Sequence, residues 1–180
     1  MRTLLRQKRK SLTKPKQYIA SLKVLNNLLK NNILSKKNIA IYSDFGGEIN
    51  TTKIINFLQN QGCNIYLPVI FKDKLKFSKI GESSKRNKFN IFEPQKTKII
   101  NANQLNLIIL PLVGFDKNCH RIGMGCGFYD KTLAFRLRQE HYKYPKFFGI
   151  SHHFQEIKIT PNVWDIKMDK IITDKNIFKS

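Results

Sequence analysis

The chain has 180 residues, 33 of them Lys or Arg and 12 Asp or Glu, for a formal net charge of +21 with the histidines neutral. Its 41% hydrophobic and 11% aromatic content suits one ordinary domain, residues 1–180, and excludes a disordered chain. No apolar run approaches the roughly 20 residues of a membrane helix, which excludes a chain that spans a bilayer in that way.

Leu4, Leu5, Leu12, Tyr18, Ile19, Leu22, Leu25 and Leu29 recur at roughly helical spacing, interrupted at Thr13-Lys14-Pro15. Thr13 can cap a second helix and Pro15 is tolerated in its first turn, so two basic helices open the chain. Residues 38–43 (NIAIYS) form a β-type run, and Phe45-Gly46-Gly47 makes a loop. Residues 51–61 predict a helix ended by Gly62, and residues 63–70 (CNIYLPVI) a second strand. Residues 71–98 are polar and irregular, with only a weak strand signal. Residues 106–110 give the strongest strand. A glycine-rich loop follows it, then a helix over about 129–142, a strand at 146–150 and a short one at 171–173. Strands alternating with helices predict an α/β domain with a mainly parallel sheet.

The positive charge suggests nucleic acid, because phosphate neutralisation dominates such binding. However, the lysines are scattered, with no stripe interleaved with aromatics. Compositional drift together with a polyanionic small substrate is the preferred reading, with a basic nucleic-acid-binding module as the alternative. Cys63, Cys119 and Cys126 lack zinc or redox spacing, and free thiols in a reducing cytoplasm are expected. No acidic residue precedes Asp44, a composition like that of a transit peptide. A folded basic amphipathic helix is the preferred reading of that segment.

Residues 110–130 (LPLVGFDKNCHRIGMGCGFYD) place Gly123, Gly125 and Gly127 on alternate positions after the buried strand. Ligands of open α/β sheets collect at strand C-termini, and glycines there let backbone N–H groups approach an anion closely. Arg121 can take phosphate oxygens in bidentate fashion, and Asp130 can hold the Mg²⁺ that accompanies a nucleotide. Gly-x-Gly-x-Gly alone is weak; it is neither the dinucleotide fingerprint nor a Gly-Lys-Ser/Thr phosphate loop.

The longer string Arg121-Ile122-Gly123-Met124-Gly125-Cys126-Gly127-Phe128-Tyr129-Asp130, preceded by Gly114-Phe115-Asp116, resembles the signature of the 5-formyltetrahydrofolate cyclo-ligases. Residues 5–13 are similar to that family's basic first helix, residues 43–51 (SDFGGEINT) to its Gly-Glu-x-x-Thr loop, residues 90–94 to its Asn-Ile-Pro-Glu-Pro element, and residues 164–169 (WDIKMD) to a late aspartate-bearing segment. Met124, Cys126, Phe128 and Phe92 depart from the family's usual residues. The resemblance implies a three-layer α/β/α fold like that of ribose-5-phosphate isomerase and the CoA-transferases. It also implies an ATP- and Mg²⁺-dependent conversion of 5-formyltetrahydrofolate to 5,10-methenyltetrahydrofolate, with release of ADP and phosphate through an imidoyl phosphate.

On that resemblance, Arg121, Tyr129 and Asp130 are the expected catalytic residues. Residues 121–129, with Arg2, Arg6 and Arg9, are expected at the ATP site. Glu48, Phe89, Met124, Phe128 and Tyr129 are expected at the folate, and Asp130 and Asp169 at Mg²⁺. The substrate is a small molecule, with polyglutamylated folate among the candidates, and a cytoplasmic monomer with no membrane or nucleic-acid partner is expected. A degenerate relative that binds folate without catalysing is a further alternative. Asp116 either belongs to the site or orders its loop. His152 and His153 are read as surface histidines and Trp164 as a packing residue. Cys126 is read as a tolerated small residue.

Overall fold

The computed structural model describes residues 1–30, 37–81, 84–86, 92–94, 99–138 and 144–180. In chain order the elements are α1 (Arg2–Lys10), α2 (Lys14–Leu29), β1 (Asn38–Ile41), α3 (Thr52–Asn60), β2 (Asn64–Phe71), β3 (Lys74–Lys79), β4 (Ser84–Arg86), β5 (Phe92–Pro94) and β6 (Ile99–Ile100). They continue as β7 (Leu107–Pro111), β8 (Gly114–Phe115), β9 (Arg121–Ile122), α4 (Phe128–Leu133), α5 (Phe135–Arg138), β10 (Lys146–Ser151), β11 (Lys170–Thr173) and β12 (Ile177–Lys179).

The central sheet runs β12-β11-β10-β7-β1-β2-β3-β6. Its five inner strands, β11 to β2, pair in parallel, whereas β12, β3 and β6 pair antiparallel at the two edges. Neighbouring residues on each strand point to opposite faces, and both faces are apolar, as a doubly covered parallel sheet requires. On one face Ile39, Ile41, Leu107 and Ile109 pack beneath Val24 and Leu28 of α2 and Ile54 and Leu58 of α3. On the other, Ala40, Ile108 and Leu110 pack with Leu133 of α4, Phe115 of β8, and Ile166 and Met168 of the segment before β11. This is the expected α/β architecture, with two layers flanking one sheet.

Several expectations need amending. Within the polar stretch after residue 71, β3 is a full strand whose Leu75 and Phe77 are buried while Lys74 and Lys79 are exposed. The expected helix over 129–142 begins one residue early and breaks at Ala134 into α4 and α5; residues 139–143 lie outside the described part. Beyond the short strand at 171–173, β12 returns antiparallel to β11 and closes that edge.

Candidate active site

All five parallel strands end on the same side, and the chain leaving β7 there builds most of a cleft of about 1180 Å³. Val113 hydrogen-bonds Ile122 across the β8–β9 hairpin at 2.8 Å. Asp116 closes the hairpin tip by accepting the His120 N–H at 2.9 Å and lying 2.9 Å from His120 Nδ1. Asp116 is absent from the cleft wall, so its work is loop order.

The hairpin delivers Arg121, only 7% exposed, to the cleft floor. Its guanidinium donates to Asp130 Oδ1 at 2.5 Å, and its buried Nε has no partner among the described residues. Beyond it, Gly125 has φ +102°, and a side chain there would meet the Arg2 guanidinium at 3.2 Å. Arg6 shares the cleft and also has a buried Nε without a partner among the described residues. Three guanidinium groups therefore line the same cleft as a glycine-rich turn, two of them directly against it, a polyanion site in its physical chemistry.

Asp44 builds the opposite wall. Its carboxylate accepts from Asn50 Nδ2, the Thr51 N–H and the Thr51 hydroxyl at 3.1–3.2 Å, folding residues 44–51 into a tight loop. Gly47, at φ +82°, lies where a Cβ would strike the Arg9 carbonyl at 2.4 Å, so α1 packs directly on this loop. The loop presents Glu48 to the cleft. Burial raises its pKa from the ordinary 4.5 to about 7; the Arg9 ion pair at 3.3 Å and the Phe45 N–H at 3.1 Å offset that only in part. Burial, then the charge of Glu48, likewise raises the phenol pKa of Tyr129, so the two groups share one poorly solvated end.

Arg2, Arg6, Glu48 and the whole of residues 121–130, including Met124, Cys126, Phe128 and Tyr129, line this one cleft. Arg9 does not. It is 2% exposed, and its donors go to the Gly46 and Leu112 carbonyls at 3.1 and 3.3 Å as well as to Glu48, so it braces the wall from behind. Asp169 is also elsewhere. It accepts from the Phe147 N–H and Lys146 Nζ where β10 begins, at the opposite end of the strands. Lys146 is in register with Leu107, about 13 Å along the strand from the cleft-lining Pro111. From the same sequence segment it is Asp165 that reaches the cleft. Phe89 lies outside the described residues.

Sequence reasoning missed Tyr42, which closes the strand β1 end of the cleft, and the strap of residues 158–165, including Trp164. Of the two aspartates in the WDIKMD string, the one expected at the site, Asp169, is off the cleft wall and Asp165 is on it. His152 is also misjudged: it is 2% exposed, with Nε2 3.0 Å from the Gly47 carbonyl, and holds the Glu48 loop from below. Among the described residues no cluster of three or more His, Cys, Asp or Glu side chains could enclose a metal. Asp130 and Asp165, two carboxylates in a cleft rich in guanidinium, instead fit a hard cation that takes its other ligands from a polyphosphate and water.

The family model for the 5-formyltetrahydrofolate cyclo-ligases matches residues 1–174. The 5-formyltetrahydrofolate cyclo-ligase of Haemophilus influenzae is 34% identical, aligned over 96% of this chain and 95% of its own length. That of Escherichia coli is 29% identical over 98% and 100%. Among solved structures, the 5,10-methenyltetrahydrofolate synthetase of Mycoplasma pneumoniae matches with a TM-score of 0.78 at 26% identity, covering 97% of this chain and 96% of that one. The Aquifex aeolicus 5,10-methenyltetrahydrofolate synthetase matches with a TM-score of 0.81 at 25% identity, covering 99% and 90%. Agreeing in sequence and in three dimensions along nearly all its length, the chain belongs to the 5-formyltetrahydrofolate cyclo-ligase family.

Proposed function

We propose that the chain is an ATP-dependent ligase that converts 5-formyltetrahydrofolate to 5,10-methenyltetrahydrofolate with release of ADP and phosphate. The observation that carries this reading is the single cleft, which sets a polyanion turn (Arg2, Arg6, Arg121 and the 123–127 backbone) beside a poorly solvated end bearing Glu48 and Tyr129. Its volume exceeds what one ligand of ordinary size needs.

The formyl group on N5 is amide-like, and its oxygen is a poor leaving group. The chemistry works once that oxygen attacks the γ-phosphorus. A new P–O bond forms, the bond to ADP breaks, and ADP departs with the electron pair. N10 then attacks the activated carbon and loses its proton, and the C–O bond breaks as phosphate leaves. No protein nucleophile is required. Catalysis rests on alignment and on charge stabilisation.

Arg121 and the loop N–H groups hold the phosphates. Arg121 is kept in place on the cleft floor by Asp130. Glu48 meets the donor-rich edge of the pterin; with a pKa of about 7, it changes charge readily as its neighbours change. Pro68, Ile70, Leu75 and Phe128 supply apolar wall for the rings. Asp130 and Asp165 would hold Mg²⁺, which would supply neutralisation of the charge that develops on the polyphosphate. Beside this end opens a second groove of about 730 Å³, which shares Leu75, Lys131 and Ala134 with the cleft and is lined also by Lys72, Lys74, Lys76 and Arg138. It suits the acidic glutamate tail of the folate.

Purified protein supplied with ATP, Mg²⁺ and 5-formyltetrahydrofolate should generate the methenyl chromophore with one ADP per product. Folded protein that gives no absorbance change under those conditions refutes the reading. Asp130→Asn should abolish turnover while the protein keeps its fold.

A further inference from the structure

Trp164 is the chain's single tryptophan, and nothing in the fold consumes it. The residue is 62% exposed, and it stands on the wall of the cleft already described. Large aromatic side chains contribute most of their energy when covered; this one is left mostly open by the described residues, yet its backbone is tightly fixed. The Asn162 N–H donates to Asp165 Oδ2 at 2.8 Å, and the Asp165 N–H donates to the Asn162 carbonyl at 3.0 Å, closing a small turn around the indole. On one side of the turn the Ile157 N–H bonds the Phe115 carbonyl at 2.7 Å. On the other, Ile166 and Met168 are buried and the Met168 N–H bonds the Cys119 carbonyl at 3.0 Å. The strap is thus riveted to the β8–β9 hairpin at both ends, and the indole is held out over the cleft.

The position of the strap decides which ligand it meets. Ile157 and Leu5 of α1 crowd the same glycine, Gly114, so the strap runs beside the helix that carries Arg2 and Arg6. The apolar end, with Ile70 and Leu75, is built by β2 and β3, elements that the strap does not pair with. With phosphates on the turn and the folate rings at the apolar end, the remainder of the nucleotide extends toward the strap. Thr160 and Lys158 of the same strap also line the cleft.

We infer that Trp164 is the platform on which the nucleobase of ATP stacks, and that it gives this site a preference for purine over pyrimidine triphosphates. Stacking needs no edge-specific contact and strengthens with the area of the base. The inference rests on the ligase reading for the identity of the triphosphate.

Two measurements test it, and one needs no variant. Because Trp164 is the only indole, the emission of wild-type protein titrated with ADP and Mg²⁺, without folate, should change saturably, and CDP should require a much higher concentration. In steady-state kinetics Trp164→Ala should raise the KM for ATP about tenfold, the order expected for one lost stack. The kcat and the KM for 5-formyltetrahydrofolate should stay within about twofold, and Trp164→Phe, which keeps a ring, should recover most of the ATP affinity. Emission unmoved by saturating nucleotide, in protein that turns over, overturns the inference. So does a raised folate KM with an unchanged ATP KM, which would put the other ligand on the ring. Wild-type protein that binds ADP with a change in emission but makes no methenyl product would refute the ligase reading and leave the stacking site standing.

Discussion

Replacing Arg9 by alanine separates two roles that the basic first helix has available, because Arg9 faces protein while Arg2 and Arg6 face the cleft. The substitution removes donors from the Gly46 and Leu112 carbonyls and leaves Glu48 without its cation at 3.3 Å. Breaking a buried charge pair costs about 3–5 kcal/mol, and Glu48, whose side chain retains 12% exposure, places this one near the lower figure. For a domain of this length each kcal/mol moves Tm by about 2–4 °C, so a fall of about 10 °C is expected in thermal denaturation followed by circular dichroism. Arg9 also holds the Glu48 pKa down, so its loss moves that carboxyl above about 7 and shifts the acid limb of the activity profile to higher pH. Arg2→Ala and Arg6→Ala should do the reverse, leaving Tm almost unchanged and raising the KM for ATP. An Arg9→Ala protein as stable as wild type, with a KM for ATP raised tenfold, would show that Arg9 turns toward the nucleotide and would refute the reasoning.

Three further outcomes follow from the same geometry. Asp165→Asn should lower kcat severely with little change in Tm, because the amide oxygen can still accept from the Asn162 N–H, whereas Asp169→Ala should lower Tm, by removing the acceptors of Lys146 and the Phe147 N–H, and leave kcat near wild type; paired steady-state and melting measurements check both. Glu48, raised from 4.5 to about 7 in the folded protein, contributes about 3 kcal/mol of stability that is fully present below pH 4.5 and lost as pH rises through 7. Urea titrations of wild type and Glu48→Gln should therefore show the wild type losing stability faster between those limits. Finally, added glutamate residues on the folate should lower KM at low ionic strength, with the advantage shrinking as salt rises, and Lys72→Glu with Lys76→Glu should abolish it.

What the sequence made legible follows from how local each signal is. The inner strand β7 is a short apolar run whose alternate residues all find cover, so composition alone located it. Strand β3 was obscured because Lys74, Lys76 and Lys79 mask the inward pair Leu75 and Phe77, and six residues give too few repeats to stand out. The polyanion turn was readable because one contiguous segment supplies it, from Arg121 to Asp130. Tyr42, Trp164 and Asp165 reach the same cleft from distant parts of the chain, and only the packing of the strap on the β8–β9 hairpin brings the last two there. Asp165 and Asp169 sit four residues apart, a separation that can span about 13 Å; which of them faces a ligand depends on where the sheet ends. Arg9 illustrates the same limit, since one basic helix offers arginines to two different environments.

The most direct test of the central claim, that the cleft passes the formyl oxygen to the γ-phosphate, is to follow that oxygen. With ¹⁸O in the formyl group and unlabelled ATP and water, phosphate examined by ³¹P NMR should carry one heavy oxygen for every methenyl product formed. Unlabelled phosphate formed alongside methenyltetrahydrofolate, with the heavy oxygen recovered in water, would contradict it.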